Sequence, residues 1–420
     1  MNSSSEAIVI IGGGHAGAQL CASLVEAGQG GCVHLVCEEA VLPYQRPPLS
    51  KAFLKKADEA LQAHRAEAWY AEAGITLHRA DPAVAIDRAA KRVRLHSGIE
   101  LGYGQLVLAT GTRARRLADL PAGLSNVVML RSAEDAYALR GHLPVMKRLT
   151  VLGGGFIGLE IAATARGLGI EVEVLEGMPR LLARSVSPEL AAHVQAHHAA
   201  AGTWLRLGVR VDGFEVDGDQ LASLQVDGIR QPVEWLVLGI GAVPEDTLAR
   251  EAGLAVDNGI VVDAHLRTSD PLILAVGDCA NFPEHGSGRR LRLESVQNAG
   301  DQARTAVATL LGREEPYRAL PWFWSEQGLL RLQMAGLMPA DGVRHRRPGA
   351  NQNSFSIFHY AGERLACVES VNAPMDHMMS RKLLETGRSP APADVCDPAK
   401  ALKDWLLPPP PRPSPSQGRE

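Results

Sequence analysis

The 420-residue chain is short of cysteine, of long apolar runs and of net charge. Its six cysteines lie at 21, 32, 37, 279, 367 and 396, with no C-x-x-C spacing and none between Cys37 and Cys279. That pattern gives no disulfide framework and no zinc or iron–sulfur centre, so no metal is expected. It fits a reduced, cytoplasmic setting. No window reaches the ~18 uninterrupted apolar residues of a membrane span. The first residues, MNSSSEAIVIIGGG, lack a basic n-region and run straight into an apolar strand, which is not a signal-peptide pattern. Lys and Arg number 43 against 47 Asp and Glu, a formal charge of −4, so bulk attraction to nucleic acid is not expected.

Glycine, by contrast, is abundant at 42 residues, in a composition that is 46% hydrophobic. The size allows two or three domains, and the glycine content suits a turn-rich α/β protein. Six glycines carry the most informative pattern. Residues 8–24, IVIIGGGHAGAQLCASL, contain Gly12, Gly14 and Gly17. Residues 149–165, LTVLGGGFIGLEIAATA, contain Gly153, Gly155 and Gly158. Each is a β-branched apolar run, then G-x-G-x-x-G, then an alanine-rich helical stretch. The first Gly permits a tight strand-to-helix turn, the second lets a pyrophosphate approach the backbone, and the third lets helix and strand pack closely. The pyrophosphate then sits on free N–H groups at the helix N-terminus. Two such motifs imply two dinucleotides, and hence electrons passing between them.

Residues 8–11 read as a buried parallel strand, 16–27 as its crossover helix, and 33–37 as the next strand. Three prolines in LPYQRPPLSK (42–51) hold an extended, stiff loop. A helix is expected around 58–73, short strands through 75–110, and a strand over 106–112. The second unit repeats the pattern: strands at 149–152, 172–176, 203–211 and 221–238, then a turn at 239–244. Residues 272–278 read as a strand ending in Gly277-Asp278, and 297–311 as a helix. The second nucleotide domain (115–245) therefore looks inserted into the first (1–114 and 246–320). From 321 to 406 the texture alternates like antiparallel strands, followed by helical segments at 375–386 and 398–406, an α+β domain. The end, 407–420, is proline-rich and reads as a disordered or polyproline tail.

With LPYQRPPLSK and WFWSEQ in place, the chain resembles the FAD-dependent ferredoxin reductases of bacterial Rieske dioxygenase and haem monooxygenase systems, the putidaredoxin reductase-like proteins. The motif order matches over about residues 6–405: first fingerprint, PYxRPPLSK, ATG, second fingerprint, VGD, ESVxNA, FWSxQ. The resemblance implies a glutathione reductase-like α/β fold. Two Rossmann-type domains, for FAD and NAD, would be joined by a C-terminal α+β interface domain.

For FAD, spacing picks out Glu38, 24 residues after Gly14, for the adenosine ribose, with Glu39 as the competing choice. The resemblance adds His15, Ala16, Val84, the ATG residues Ala109, Thr110 and Gly111, and Arg131. It also adds Gly277 and Asp278, the latter at the ribityl chain, and Glu294, Ser295 and Val296 at the pyrimidine edge. Arg46 would fix the loop or the FAD phosphates, and Trp324 would lie near the electron exit. Lys51 is implied at the flavin N5, ion-paired with Glu160 at the hydride-transfer site. For NAD, Gly153, Gly155, Phe156, Ile157 and Gly158 form the turn, and Gly241 lets the chain pass the nicotinamide ribose. Glu176, 21 residues after Gly155, would accept the ribose 2′-OH and repel a 2′-phosphate, favouring NADH. Arg180 and Arg184 lie close enough to complicate that choice.

The expected activity is NADH:ferredoxin oxidoreduction: hydride from NADH to FAD, then single electrons to an acidic 2Fe–2S ferredoxin that feeds an oxygenase. Arg344, Arg346 and Arg347, with Arg381 and Lys382, are the candidate docking cluster. The disulfide reductases of this fold place a redox cysteine pair after the second strand; here that region reads RPPLSK. A rubredoxin reductase, an NADH oxidase and a redox-controlled binding protein of the apoptosis-inducing type stay open as alternatives. The protein would be a monomer or homodimer.

Overall fold

The computed structural model describes residues 7–285 and 287–406; the proline-rich tail expected at 407–420 lies outside the described residues. The apolar run Ile8–Ile11 is fully buried and lies parallel between Val33–Val36 and Gln105–Leu108. β-Branched residues that bury both faces suit a central strand of a parallel sheet. Ile273–Ala275 and Thr76–His78 complete the sheet, in the order Ile273–Ala275, Gln105–Leu108, Ile8–Ile11, Val33–Val36, Thr76–His78. The helices His15–Glu26 and Val296–Leu310 pack against each other beside it.

A second parallel sheet repeats the plan. Its order is Trp204–Leu207, Glu171–Glu176, Arg148–Leu152, Leu236–Leu238, Val127–Val128. Each sheet has a three-stranded antiparallel companion: Ala83–Asp87, Arg92–Leu95 and Glu100–Gly102 for the first, Val211–Asp217, Gln220–Val226 and Ile229–Pro232 for the second. Two short antiparallel strands, Thr112–Ala114 and Ala242–Pro244, carry the chain into and out of the second half.

The chain divides into two compact units. One runs to Ala319 and takes in Glu326–Leu329; the other holds Leu320–Ser325 and the described residues from Leu330 to Leu406. The second unit is built on an antiparallel sheet in the order Trp322–Gln327, Leu330–Gly336, Arg364–Val371, Phe355–Ala361, Val343–Pro348. Phe358, Tyr360, Val368 and Leu383 form its core with the helix Pro374–Glu385.

Four local expectations differ from the structure. The helix expected over 58–73 forms only at Glu67–Glu72. Residues before it are drawn into backbone pairing with the proline loop, His64 N–H to Pro43 O at 2.8 Å and Gln45 N–H to Gln62 O at 2.9 Å. The strand read over 221–238 is three strands. Its first break is an Asp227-Gly228 turn with φ of 53° and 78°, the left-handed pair that a two-residue hairpin takes. The turn at 239–244 contains the strand Ala242–Pro244. The helix at 398–406 is reduced to a 3₁₀ turn, Leu402–Leu406, while a short helix at Pro392–Cys396 was not foreseen.

Helix and strand meet at the third fingerprint glycine. A methyl group on Gly17 would collide with the Gly12 carbonyl oxygen, whereas one on Gly14 would meet nothing within 4 Å. Gly17→Ala is therefore expected to destabilise the protein by about 1–3 kcal/mol. Gly14→Ala meets no such clash and should leave the melting temperature of the ligand-free protein near the parent value. Melting curves of the two variants separate them.

Candidate dinucleotide and hydride-transfer sites

The two fingerprints are the same construction. Gly12 donates its N–H to Val36 O, and Gly153 to Leu175 O, each at 2.8 Å. Gly12 has a φ of 119° and lies against the Ala109 carbonyl; Gly153 has 110° and lies against that of Gly239. Both helices start at a glycine, Gly14 and Gly155, with no side-chain cap. His15 and Ala16 open one helix and Phe156 and Ile157 the other, at starts that suit an anion.

Around the first turn stand residues from distant parts of the chain. Arg131 pairs with Asp278 at 3.3 Å and donates from Nε to Thr112 O at 2.9 Å. Arg46 donates to Arg131 O at 2.5 Å and pairs with Glu39 at 2.9 Å. A Cβ on Gly111 would lie 3.2 Å from the Arg131 guanidinium. Burial drives His15 down to about 3, helped by His64, Arg46 and Arg131, so it is neutral. Burial also pushes the Asp278 carboxyl upward, with Arg131 opposing. Gly277, with a φ of 79°, packs at Ala16 and Ala299. Ser295 caps Val296–Leu310 by accepting the Asn298 N–H at 3.0 Å, and Glu294 pairs with Arg292 at 2.7 Å. Thr110 Oγ1 donates to Glu245 O at 2.6 Å. Val84 stands apart from this network on Ala83–Asp87 and is 38% exposed.

The structure separates the two candidate ribose acids. Glu39 Oε2 accepts from Tyr44 Oη at 2.8 Å and from Ala133 N at 3.0 Å, while Oε1 takes Arg46. Glu39 is thus committed to closing the proline loop onto the helix Ala133–His142. Glu38 is exposed and has no hydrogen bond among the described residues. The open space before Gly14, the uncapped helix start and the two guanidinium groups fit a dinucleotide pyrophosphate.

Lys51 and Glu160 meet, 109 residues apart in sequence. Lys51 Nζ lies 2.6 Å from Glu160 Oε2, with Glu160 almost fully buried. Ser50 Oγ donates to the same oxygen at 2.5 Å, and Lys51 Nζ also donates to Ser50 Oγ at 3.2 Å and Pro47 O at 3.1 Å. Thr164 Oγ1, one turn on from Glu160, donates to Ser50 O at 2.8 Å. Ser50 and Thr164 were not singled out from sequence; Ser50 lies inside PPLSK and was the legible one.

At the second fingerprint, Glu176 accepts the Gly154 N–H at 2.6 Å and the Met178 N–H at 2.7 Å. Its carboxylate therefore stands at the glycine turn with both oxygens fixed. Arg180 is spent on Val186 O at 2.9 Å and Ala183 O at 2.6 Å. Arg184 is exposed and lies 4.0 Å from where a Cβ on Gly241 would be; Gly241 has a φ of 97°. Of the two arginines, only Arg184 is placed to meet a ligand.

The basic cluster does not hold together. Arg347 is buried, pairs with Asp376 at 3.4 Å, and donates to Val395 O at 3.1 Å and Asp397 O at 2.7 Å. It holds the segment after the sheet and is no docking residue, a correction to the expectation. Arg344 and Arg346 are exposed, alternating with it along the strand, and Arg346 lies 4.0 Å over the Phe355 ring. Arg381 lies 4.4 Å over Trp322, whose ring is 5.5 Å from Trp324; Lys382 is exposed.

Burial raises the Cys37 thiol, beside the proline loop, to about 12, so it is no thiolate at neutral pH. Among the described residues no helix is long and apolar enough to cross a membrane.

Two uncapped fingerprints and a buried Lys–Glu pair joining the two halves define a two-dinucleotide oxidoreductase. Residues 6–303 match the pyridine nucleotide-disulphide oxidoreductase family and residues 322–406 the reductase C-terminal family. The chain belongs to the first and carries the second as its C-terminal domain; it is an FAD- and NAD(H)-dependent reductase. Rhodocoxin reductase from Rhodococcus erythropolis is 43% identical over 93% of this chain and 92% of its own. The ferredoxin reductase for the CYP199A2 system from Rhodopseudomonas palustris superposes with a TM-score of 0.92 at 41% identity, covering 96% of this chain and 100% of its own. Putidaredoxin reductase in its covalent complex with putidaredoxin superposes with a TM-score of 0.90 at 38% identity, covering 95% and 97%.

Removing the Lys51 charge, as in Lys51→Met, leaves Glu160 buried without its cation. Flavin reduction by NADH should slow by about tenfold or more in anaerobic stopped flow; an unchanged rate would remove Lys51 from the reaction. Arg347→Ala should lower stability by about 3–5 kcal/mol, while Arg344→Ala should leave the melting temperature within a degree or so.

Proposed function

We propose that this chain is an NADH:ferredoxin oxidoreductase supplying single electrons to an acidic 2Fe–2S ferredoxin of an oxygenase system in the cytoplasm. The observation that carries the reading is the Lys51–Glu160 pair, which joins the proline loop of the first half to the fingerprint helix of the second. When bound, FAD supplies the conversion between a two-electron hydride donor and a one-electron acceptor.

The chain's own residues set the stage for that conversion. The first fingerprint, in the FAD domain 1–114 and 246–320, binds the flavin dinucleotide, with Glu38 on the ribose and Asp278 and Arg131 alongside. The second, in the NAD domain 115–245, binds NADH. Glu176 places a negative charge where a 2′-phosphate would have to sit, which selects against NADPH. Lys51 presents a positive charge from the FAD side, and Ser50 and Glu160 hold its ammonium in place. The inert Cys37 removes the thiol route of the disulphide reductases, so electrons leave to a separate protein. Exposed Arg344 and Arg346 in the C-terminal domain 321–406 offer charge complementary to an acidic partner.

The test is anaerobic stopped flow with the purified flavoprotein. NADH should bleach the flavin rapidly, and a 2Fe–2S ferredoxin added next should be reduced rapidly. Fast bleaching with transfer to rubredoxin alone would change the acceptor, and rapid consumption of NADH by oxygen without any protein acceptor would make it an oxidase. Failure of NADH to bleach, with NADPH effective, would overturn the reading of Glu176.

A further inference from the structure

We propose that Thr164 and Ser50 are positioning residues for hydride transfer, which fix the Lys51 ammonium against the second fingerprint helix. The proposal rests on the reading of Lys51 and Glu160 as the hydride-transfer pair.

The need for positioning follows from the chain around Lys51. A lysine ammonium is a point charge on a four-carbon stem with much rotamer freedom. Lys51 also stands at a break between two short helical turns, Pro47–Ser50 and Ala52–Lys55, with φ −126° and ψ −104°. Its backbone belongs to neither turn, so another contact has to set where the stem starts.

The peptide that joins Ser50 to Lys51 is held from both sides. The Lys51 N–H donates to Pro48 O at 3.0 Å, within the loop. The Ser50 carbonyl accepts from Thr164 Oγ1 at 2.8 Å, across 114 positions of sequence. Thr164 is 3% exposed and lies four residues after Glu160 on Phe156–Gly167, so the two side chains share one face of that helix. A threonine hydroxyl in or at the end of a helix commonly donates back to the carbonyl four residues before it, as Thr386 Oγ1 does to Lys382 O at 2.7 Å. A hydroxyl has one proton to give, and Thr164 spends it on the loop.

A second set of contacts, independent of the first, fixes the far end of the stem. The Lys51 ammonium has three N–H groups and three acceptors: Glu160 Oε2 at 2.6 Å, Pro47 O at 3.1 Å and Ser50 Oγ at 3.2 Å. Ser50 is 2% exposed, and its hydroxyl donates in turn to Glu160 Oε2 at 2.5 Å. Thr164 thus holds Lys51 through its backbone and Ser50 holds it through its ammonium. Both ties end on the same face of the same helix. Fixing a flexible charge at two points is a way to preorganise it for reaction.

The test separates chemistry from binding. Flavin reduction is followed by anaerobic stopped flow over a range of NADH concentrations in the purified flavoproteins. Thr164→Val, which keeps the side-chain shape, and Ser50→Ala should each lower the limiting rate by about threefold or more, with the NADH dissociation constant within about twofold of the parent. Thr164→Ser, which keeps the hydroxyl, should run near the parent rate. In a Lys51→Met background Thr164→Val should change the rate by less than about twofold, because the group it positions is gone. Amide hydrogen exchange over residues 47–55, read by mass spectrometry in the same flavoproteins, should be faster in Thr164→Val and near the parent in Thr164→Ser. A limiting rate within about twofold of the parent in either Thr164→Val or Ser50→Ala would overturn the proposal. So would the full loss on adding Thr164→Val to Lys51→Met, which would mark a general distortion. A parent rate in Lys51→Met alone would overturn the hydride-transfer reading itself, and this proposal with it.

Discussion

The close approach of helix to strand at Gly12 and Gly17, repeated at Gly153 and Gly158, is the constraint on which the rest depends. Each sheet presents its first strand's carboxyl end to the start of a helix, and that is possible only where no side chain intervenes. Because the contact is between backbones, it brings the free N–H groups of the first helical turn into line with the end of the sheet. An anion-binding site is thus a by-product of packing, and making it twice gives a chain that holds two dinucleotides.

Doubling the module does not by itself join its two copies. The segment 39–56 makes that join, leaving the first sheet and reaching the helix Phe156–Gly167 of the second half. Glu39, Tyr44 and Arg46 tie its beginning to residues 131–133. Arg140 ties its end, lying 4.0 Å over the Phe53 ring and donating to Lys56 O at 3.3 Å. Between these anchors Ser50 and Lys51 share one oxygen of Glu160. A buried charge pair of this kind contributes little to stability on balance, which agrees with the part in hydride transfer proposed for it.

Register explains why some residues were legible and others were not. Glu176 is the last residue of its parallel strand, and its spacing from Gly155 sufficed to single it out. In the first half the equivalent position is Cys37, so the acid is displaced by one, and spacing left Glu38 and Glu39 undecided. Only the hydrogen bonds of Glu39 to Tyr44, Arg46 and Ala133 show which one is already used. The run Arg344 to Arg347 reads as a single basic patch on paper, yet strand alternation sends Arg347 the opposite way from Arg344 and Arg346. The helix expected at 58–73 failed because pairing with the proline loop offered its backbone other partners.

The sequence by itself determined the doubled dinucleotide fold, the glycine turns and the lack of a thiol relay, since these depend on local backbone freedom and on which residue types are present. Even Lys51–Glu160 was reachable in advance, though through family resemblance and not through spacing. Tertiary structure alone decided which acid is free, which arginines are spent on carbonyls, and that Ser50 joins the Lys–Glu pair. Those outcomes depend on contacts between segments tens to hundreds of residues apart, where burial and competition for hydrogen-bond partners leave no local trace.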